Sequence, residues 1–308
     1  SDHKLNRVIV SSCTPRTHEP LFQEMLCEAG LNKYLFEMAN IRDQCSWVHM
    51  ELPMEATAKA KDLVKMAINR ARHLEPLKEQ TFEVVPNALV VGGGLAGITS
   101  ALSLARQGFQ TYLVEKSDRL GGNLWNITET IQGQEPRKYI DKLLAEVEQE
   151  PLLKVYKNAR LVETEGSIGK YTSHIEYNGN KEEIKHGVIV VAIGGVEAKP
   201  TSYMYGQSPN IITQLELEAQ IPNLKSQITN NIVMVQCVEC RDAEHPYCSR
   251  ICCTQAIKNA LRIKKLNPSA NIYILYRDIM TYGMWELYYR QAREAGIIFI
   301  RYDPEKPA

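Results

Sequence analysis

The segment NALVVGGGLAGITSALSLARQGFQTYLVEK, residues 87–116, restricts the fold more than any other stretch of the chain. A β-branched run reaches Gly92, and Gly94 and Gly97 follow in G-x-G-x-x-G register around Leu95 and Ala96. A helical pattern comes next, then a second apolar run ending at Glu115, eighteen positions beyond the third glycine, with Lys116 after it. Three glycines alone are a weak signal, but a strand before them, a helix after them and a terminal acid form a nucleotide-binding unit. Each part has a task. Gly92 makes the tight turn, Gly94 lets a pyrophosphate approach the backbone, Gly97 allows close helix packing, and Glu115 accepts from ribose hydroxyls. The segment therefore predicts a strand, turn, helix and strand of a doubly wound α/β sheet with a bound dinucleotide.

Around this unit the chain reads as three blocks. In residues 1–80, NRVIVSSC predicts a strand, THEPLFQEMLCEAGL a helix ended by Gly30, KYLFEMANI a strand and MEATAKAKDLVKMAINRARHL a long helix. This is a small α/β layer with parallel-strand logic. Cys13 and Cys45 each follow a strand, so parallel pairing puts both at the ligand-binding edge of that sheet. They could join a metal cluster, contact a cofactor or pack. Cys27, beside Leu26 on its helix, is expected in the core, and His18 and His49 are assigned no role.

In residues 81–230 the second strand runs into KSDRLGGN, with Gly121, Gly122, Asn123 and then Leu124. This resembles the segment after the second strand in flavoproteins of the glutathione reductase class, which favours FAD over NAD. RKYIDKLLAEVEQE predicts a helix. KVYKNARLVETEG and KYTSHIEYNGNKEEIKHG predict a small antiparallel crossover with Asn178-Gly179 as a hairpin turn. VIVVAIGG predicts a fully buried strand delivering Gly194 and Gly195; it resembles the second motif of the flavin family, which implies that the strand end, with Ala192 and Gly194, passes near the cofactor. Residues 231–308 repeat strand and helix patterns as a second β-α-β-α-β unit, where a nicotinamide nucleotide would sit in a two-nucleotide enzyme. No glycine lies between Val233 and Ile263, so no phosphate loop is expected there, and Asp278 by itself does not make a nucleotide site.

That loop carries thiols instead. Cys237, Cys240, Cys248, Cys252 and Cys253 place five of the eight cysteines within QCVECRDAEHPYCSRICC. Cysteine sulfur is the usual ligand of iron-sulfur clusters, and a loop turning into a helix can bring several thiols to one point. Cys248, Cys252 and Cys253 lie on that turn; the fourth ligand comes from upstream, from Cys237 or its competitor Cys240. The spacing differs from ferredoxin and zinc-ribbon patterns. Three other readings stay open: a redox pair Cys237-x-x-Cys240, a structural zinc on four of the five, and unreactive buried thiols.

Thirty-six basic and thirty-six acidic residues cancel, so bulk charge points to neither nucleic acid nor an anionic membrane. No apolar run approaches the roughly 18 residues of a membrane span, and a cytoplasmic location is expected. Clustered thiols fit such a reducing compartment as metal ligands or redox groups. The chain opens almost directly into a strand and closes just after another, so it reads as a piece of a longer polypeptide.

The runs SSCTPRTHEPLFQEMLCEAGLNKYLFEMANIRDQCSWVH, VVGGGLAGI with EKSDRLGGN, VIVVAIGG and QCVECRDAEHPYCSRICC closely resemble the heterodisulfide reductase A-subunit family, along essentially the whole chain. The resemblance implies a thioredoxin-reductase-like doubly wound fold after the N-terminal domain. It implies an FAD-containing oxidoreductase component with a 4Fe-4S cluster on Cys237, Cys248, Cys252 and Cys253, with Cys240 an extra thiol. Electron transfer, with bifurcation between two acceptors, is the implied role. The partners would be iron-sulfur and disulfide-reductase subunits and ferredoxin or hydrogenase-type donors, in a larger hetero-oligomer. Two alternatives have other chemistry: a flavin disulfide reductase working through Cys237 and Cys240, and a docking subunit with a vestigial flavin fold.

Overall fold

The computed structural model describes residues 5–223, 231–303 and 306; the expected boundary at residue 230 lies outside them. The chain forms two compact units, Ser1–Phe82 and Glu83–Ala308.

In the first unit, β1 (Val8–Ser12) pairs in parallel with β2 (Phe36–Asn40), Val8 opposite Phe36 and Ser12 opposite Asn40. Helices α1 (Pro15–Glu28) and α2 (Pro53–Arg72) connect and follow them. Phe22 and Leu26 of α1 pack with Phe36 and Met38 of β2. Gly30, at φ 78°, supplies the left-handed residue that ends α1. Parallel pairing leaves Cys13 and Cys45 past the same ends of the two strands, as the sequence suggested. Cys45 is buried and its thiol donates to the Ala56 carbonyl at 2.6 Å. Cys27 is exposed, against expectation. Successive helical residues are turned about 100° apart, so when Leu26 takes the inward position its neighbour is carried outward.

The second unit is built on a four-stranded parallel sheet in the order β5-β4-β3-β9, from β3 (Asn87–Val91), β4 (Gln110–Val114), β5 (Leu153–Tyr156) and β9 (Val188–Val191). Strand alternation sorts its faces. Val90 and Leu113 point to α3 (Leu95–Arg106) and α4 (Pro136–Gln149), packing with Ile98, Leu102, Ile140 and Leu143. Leu89, Val114 and Tyr156 point the other way, to Ile175 and Ile184 of an antiparallel sheet of β6 (Ala159–Ser167), β7 (Lys170–Tyr177) and β8 (Asn180–His186). Asn178 and Gly179 join β7 to β8 at φ 50° and 76°, with Tyr177 opposite Asn180. Positive φ at both central residues is the demand of a type I′ hairpin, which is why Asn-Gly fixes the register.

Two expectations change here. Residues 153–156 belong to the parallel sheet as β5 rather than to the antiparallel crossover, because the chain turns at Asn158, φ 53°, before β6 starts. Strand β9 is not fully buried: Val188 is 45% and Val191 66% exposed. Its run of β-branched residues suits a central strand, yet β9 pairs only with β3 among the described residues and is an edge.

After α5 (Gln214–Gln220), β10 (Asn231–Val235), β11 (Asn271–Tyr276) and β12 (Ile298–Arg301) form a parallel sheet in chain order, connected by α6 (Cys252–Leu266) and α7 (Glu286–Glu294). Met234, Ile257, Ala260, Ile263, Ile272, Ile274 and Ala292 make its core. Glu218 of α5, fully buried, takes bonds from Lys258 and from Arg262 (2.8 Å) of α6, and from the Thr128 hydroxyl (2.6 Å) and backbone N–H (2.9 Å). This one carboxylate ties the segment after the Gly121 loop to the helix that begins at Cys252. No helix among the described residues is long and apolar enough to cross a membrane.

Candidate cofactor and cysteine site

The glycine loop has the form of a nucleotide cradle. Gly92 turns at φ 104°, and a Cβ there would strike the Ala192 carbonyl; one on Gly97 would strike the Gly92 carbonyl. A methyl group on Gly94 would meet nothing within 4 Å, so space is open where a phosphate would approach. Gly94 caps α3 with no side-chain hydrogen bond to the helix N-terminus. Unmatched N–H groups there, with the positive end of the helix dipole, suit an anion. Gly121 and Gly122 come against this loop from the next segment. The Gly121 N–H donates to the Gly93 carbonyl at 2.7 Å, and a Cβ on Gly122 would lie 3.2 Å from Gly94 Cα.

Glu115 holds the two loops together. Its Oε2 accepts from the Gly93 N–H at 2.6 Å, and its Oε1 accepts from the Ser117 N–H at 2.8 Å and hydroxyl at 2.7 Å. Burial opposes its charge, but the bonds from Ser117 and Gly93 outweigh burial and hold the carboxyl below its usual range. A carboxylate has about four lone-pair positions, so one remains for a ribose hydroxyl. Gly93 and Ser117 were not singled out from the sequence; a hydroxyl two residues after the strand-end acid is the signal that could have found Ser117. Asn123 Nδ2 donates to the Gly195 carbonyl at 3.1 Å, which draws the segment after β9 over the same loop. Leu124 packs on the core, Leu95 is half-exposed, Ala96 and Lys116 are exposed, and Gly194 turns at φ 65° with open space around it. The cradle fits a dinucleotide.

The cysteine loop occupies the corresponding place in the last sheet, between β10 and α6. Cys237, Cys240, Cys248 and Cys252 are half-buried, and Cys253 is buried. Cys240 lies among Cys237, Cys248 and Cys252, and burial followed by the neighbouring Cys237 pushes its thiol up to about 11. Cys253 donates toward Cys252, which lowers the Cys252 thiol and raises its own. Cys253 also lies 3.7 Å from the Asp278 carbonyl, and the Cys248 sulfur accepts from the Arg250 N–H at 3.3 Å. The thiols thus gather at one sheet end without forming a coordination shell. Among the described residues no group of three or more His, Cys, Asp or Glu stands ready to hold a metal ion. Cys253 thus faces both its neighbour Cys252 and the Asp278 carbonyl just beyond β11.

Other features of the loop fit a sulfur-rich group. Cys237, Glu239, Arg241 and Arg250 have φ of 59°, 48°, 60° and 60°, a left-handed conformation that costs a non-glycine residue of order 1–2 kcal/mol. Gln236 Nε2, Arg241 NH1 and Thr281 Oγ1 are buried donors without an acceptor. Thiolates and sulfides are acceptors, and cysteine is the donor type such a group takes. Asp278, at the end of β11, receives Arg241 at 2.7 Å and Arg301 at 3.4 Å. Sequence reasoning also missed Glu239, whose carboxylate takes bonds of 2.8–2.9 Å from the N–H and hydroxyl of both Thr201 and Ser202. Those bonds, the Thr201 hydroxyl first, hold it down to about 2 and pin the segment after β9 to the cysteine loop.

A family model described as FAD dependent oxidoreductase matches residues 87–182. One of the iron-sulfur A subunits of CoB–CoM heterodisulfide reductase from Methanopyrus kandleri is 34% identical, covering 98% of this chain and 60% of that protein. Its counterpart in Methanocaldococcus jannaschii is 33% identical, covering 98% of this chain and 61% of that protein. The A subunit of the H(2):CoB-CoM heterodisulfide,ferredoxin reductase of Methanothermobacter thermautotrophicus is 33% identical, covering 97% and 60%. The chain spans about 60% of the length of these relatives. The alignment with the first extends over 398 positions, more than the 308 residues here, so that relative carries further residues within the aligned span.

Proposed function

From the premise that this chain belongs to the heterodisulfide reductase A-subunit family, we propose that it is an electron-transfer subunit holding FAD on the Gly92–Gly97 loop and a 4Fe-4S cluster on the cysteine loop. The observation that carries the reading is the paired use of one loop position. Two β-α-β units each present a strand-to-helix loop, one a glycine cradle with an uncapped helix N-terminus, the other five thiols with unmatched donors beside them. Flavin exchanges electrons in pairs or singly and an iron-sulfur cluster singly, which is the chemistry the two groups would supply when bound.

The chain's own work is placement. The N-terminus of α3 faces the pyrophosphate, Gly94 leaves it room, and Glu115 offers its remaining lone pair to the ribose while fixing Gly93 and Ser117. Cys237, Cys248, Cys252 and Cys253 would ligate the cluster, and Cys240 lies among them as a fifth thiol. The segment from Gly195 to Ser202, held by Asn123 at one end and Glu239 at the other, bridges the two loops. No side chain need act as an acid or base. In the whole protein, electrons would pass between the flavin and partner iron-sulfur subunits, with ferredoxin or a hydrogenase as donor, and bifurcation is the further step this family resemblance suggests. We place the protein in the cytoplasm, in a hetero-oligomer.

Anaerobically purified protein should show flavin bands together with broad absorption near about 400 nm that bleaches on reduction, as thiolate-bound iron does. Flavin bands alone would leave a flavin disulfide reductase, and neither feature would leave a docking subunit. Replacing Cys252 and Cys253 together by Ala should remove iron and sulfide in equal measure; unchanged iron content would reject this ligand set.

A further inference from the structure

The donors left unmatched around the cysteine loop identify residues with a task beyond ligation. Gln236 is 2% exposed with Nε2 unpartnered. Its backbone is fixed on both sides, the N–H donating to the Leu275 carbonyl at 2.9 Å and the carbonyl accepting from the Tyr302 hydroxyl at 2.6 Å. Arg241 is anchored by Asp278 at 2.7 Å through NH2, while NH1 is buried and unpartnered. The same guanidinium reaches the thiol of Cys237. Asp278 is in turn shared with Arg301, and Arg277 NH1 donates to the Cys240 and Arg241 carbonyls at 3.1 and 2.9 Å. A buried donor without an acceptor costs about 1–3 kcal/mol, and here two such donors belong to residues of the cysteine loop, Gln236 directly before Cys237 in sequence and Arg241 in reach of its thiol. Arg241 also holds a left-handed backbone, φ 60°, without being glycine, so its direction is imposed by the loop. An acid at the end of β11 is where a nucleotide fold would hold a ribose; in this chain that acid is spent on positioning an arginine.

We propose that Arg241, held by Asp278, and Gln236 are positioning residues that donate to the sulfurs of the bound cluster and raise its reduction potential. The inference rests on the cluster reading above. A reduced cluster carries one more negative charge than an oxidised one, so a fixed cation and an added N–H donor favour the reduced form. Arg301 shares the same aspartate but its side chain is 71% exposed, so water and salt screen it. It serves as the control for charge at a distance.

The test is a redox titration of the anaerobically purified 308-residue chain, followed by electron paramagnetic resonance, with iron and sulfide quantified in every sample. Arg241→Gln should lower the potential by about 59 mV, a tenfold change in a one-electron equilibrium. Gln236→Leu should lower it by less, in the same direction, and Arg301→Gln should leave it within a few millivolts of the parent. Arg241→Lys keeps the charge and loses the two-pronged fork, so its potential should fall between the parent and Arg241→Gln; it stands in for the glutamine variant if that one does not fold. Equal potentials in parent and Arg241 variants that retain full iron would overturn this inference and leave the cluster reading intact. A parent protein without iron and sulfide would overturn the cluster reading, and this inference with it.

Discussion

The glycine loop and the cysteine loop hold equivalent places, each leaving a parallel strand and entering a helix, and they solve opposite problems. In the first, strain is avoided: Gly92 takes the left-handed turn without a side chain, and Glu115 accepts from Gly93 and Ser117 while keeping one lone-pair position. In the second, four non-glycine residues take left-handed backbones and two buried donors, on Gln236 and Arg241, find no acceptor. A cradle for phosphate uses backbone N–H groups and empty space, so small residues serve it. On the reading proposed above, a cradle for a cluster needs the side chains themselves, so bulk and strain would be accepted and the matching acceptors would arrive with the ligand.

The contrast can be broken most forcefully where the two halves are joined. Glu218→Ala removes the carboxylate common to Thr128, Lys258 and Arg262 and leaves Lys258, 5% exposed, without its partner. Stability to urea should fall by about 3–5 kcal/mol, as when one member of a buried pair is lost; a loss below about 1 kcal/mol would show that the junction is held by packing alone. Gly97→Ala forces a methyl against the Gly92 carbonyl and should cost about 1–3 kcal/mol through overpacking, together with loss of bound flavin, read by absorbance.

Acid sharpens the comparison further. The Glu115 carboxyl is held below its ordinary value of 4.5, so the unfolded chain binds its proton first as pH falls. Its contribution is therefore complete above about 4.5 and lost as pH descends through the lower folded value. Glu115→Gln should remove that part of the acid dependence, measured as urea midpoints between about pH 3 and 6; parallel curves for parent and variant would refute the assignment. The smallest expected effect on folding is the most diagnostic of function. At Gly94 φ is −77° and the space is open, so Gly94→Ala should shift stability by less than about 0.5 kcal/mol while lowering flavin retention. Flavin held as firmly as in the parent would mean that the phosphates do not approach there.

Much of this architecture was legible in advance. The strand, turn and helix at Gly92 and the Asn178-Gly179 hairpin follow from steric rules acting within a few residues, and the parallel pairing of β1 with β2 from the helical crossover between them. The exposure of β9 differs from expectation because it depends on whether a neighbour from elsewhere in the chain covers it, and that of Cys27 because Leu26 takes the inward position on the same helix. Ser117 and Glu239 were overlooked for a related reason: a hydroxyl or a carboxylate has no recognisable pattern until its partner is beside it.

What the amino-acid order determined by itself was the chemistry on offer: glycines where backbone must approach a ligand, thiols where they cannot be mistaken for glycine, and an acid at a strand end. Local sterics and side-chain identity suffice for that. Only the tertiary structure decided the use of each group. It committed Glu115 to Gly93 and Ser117, turned Cys253 toward Asp278, and gave Asp278 to Arg241 rather than to a nucleotide. Those outcomes depend on distances between residues far apart in the chain, which packing sets and which no local pattern encodes.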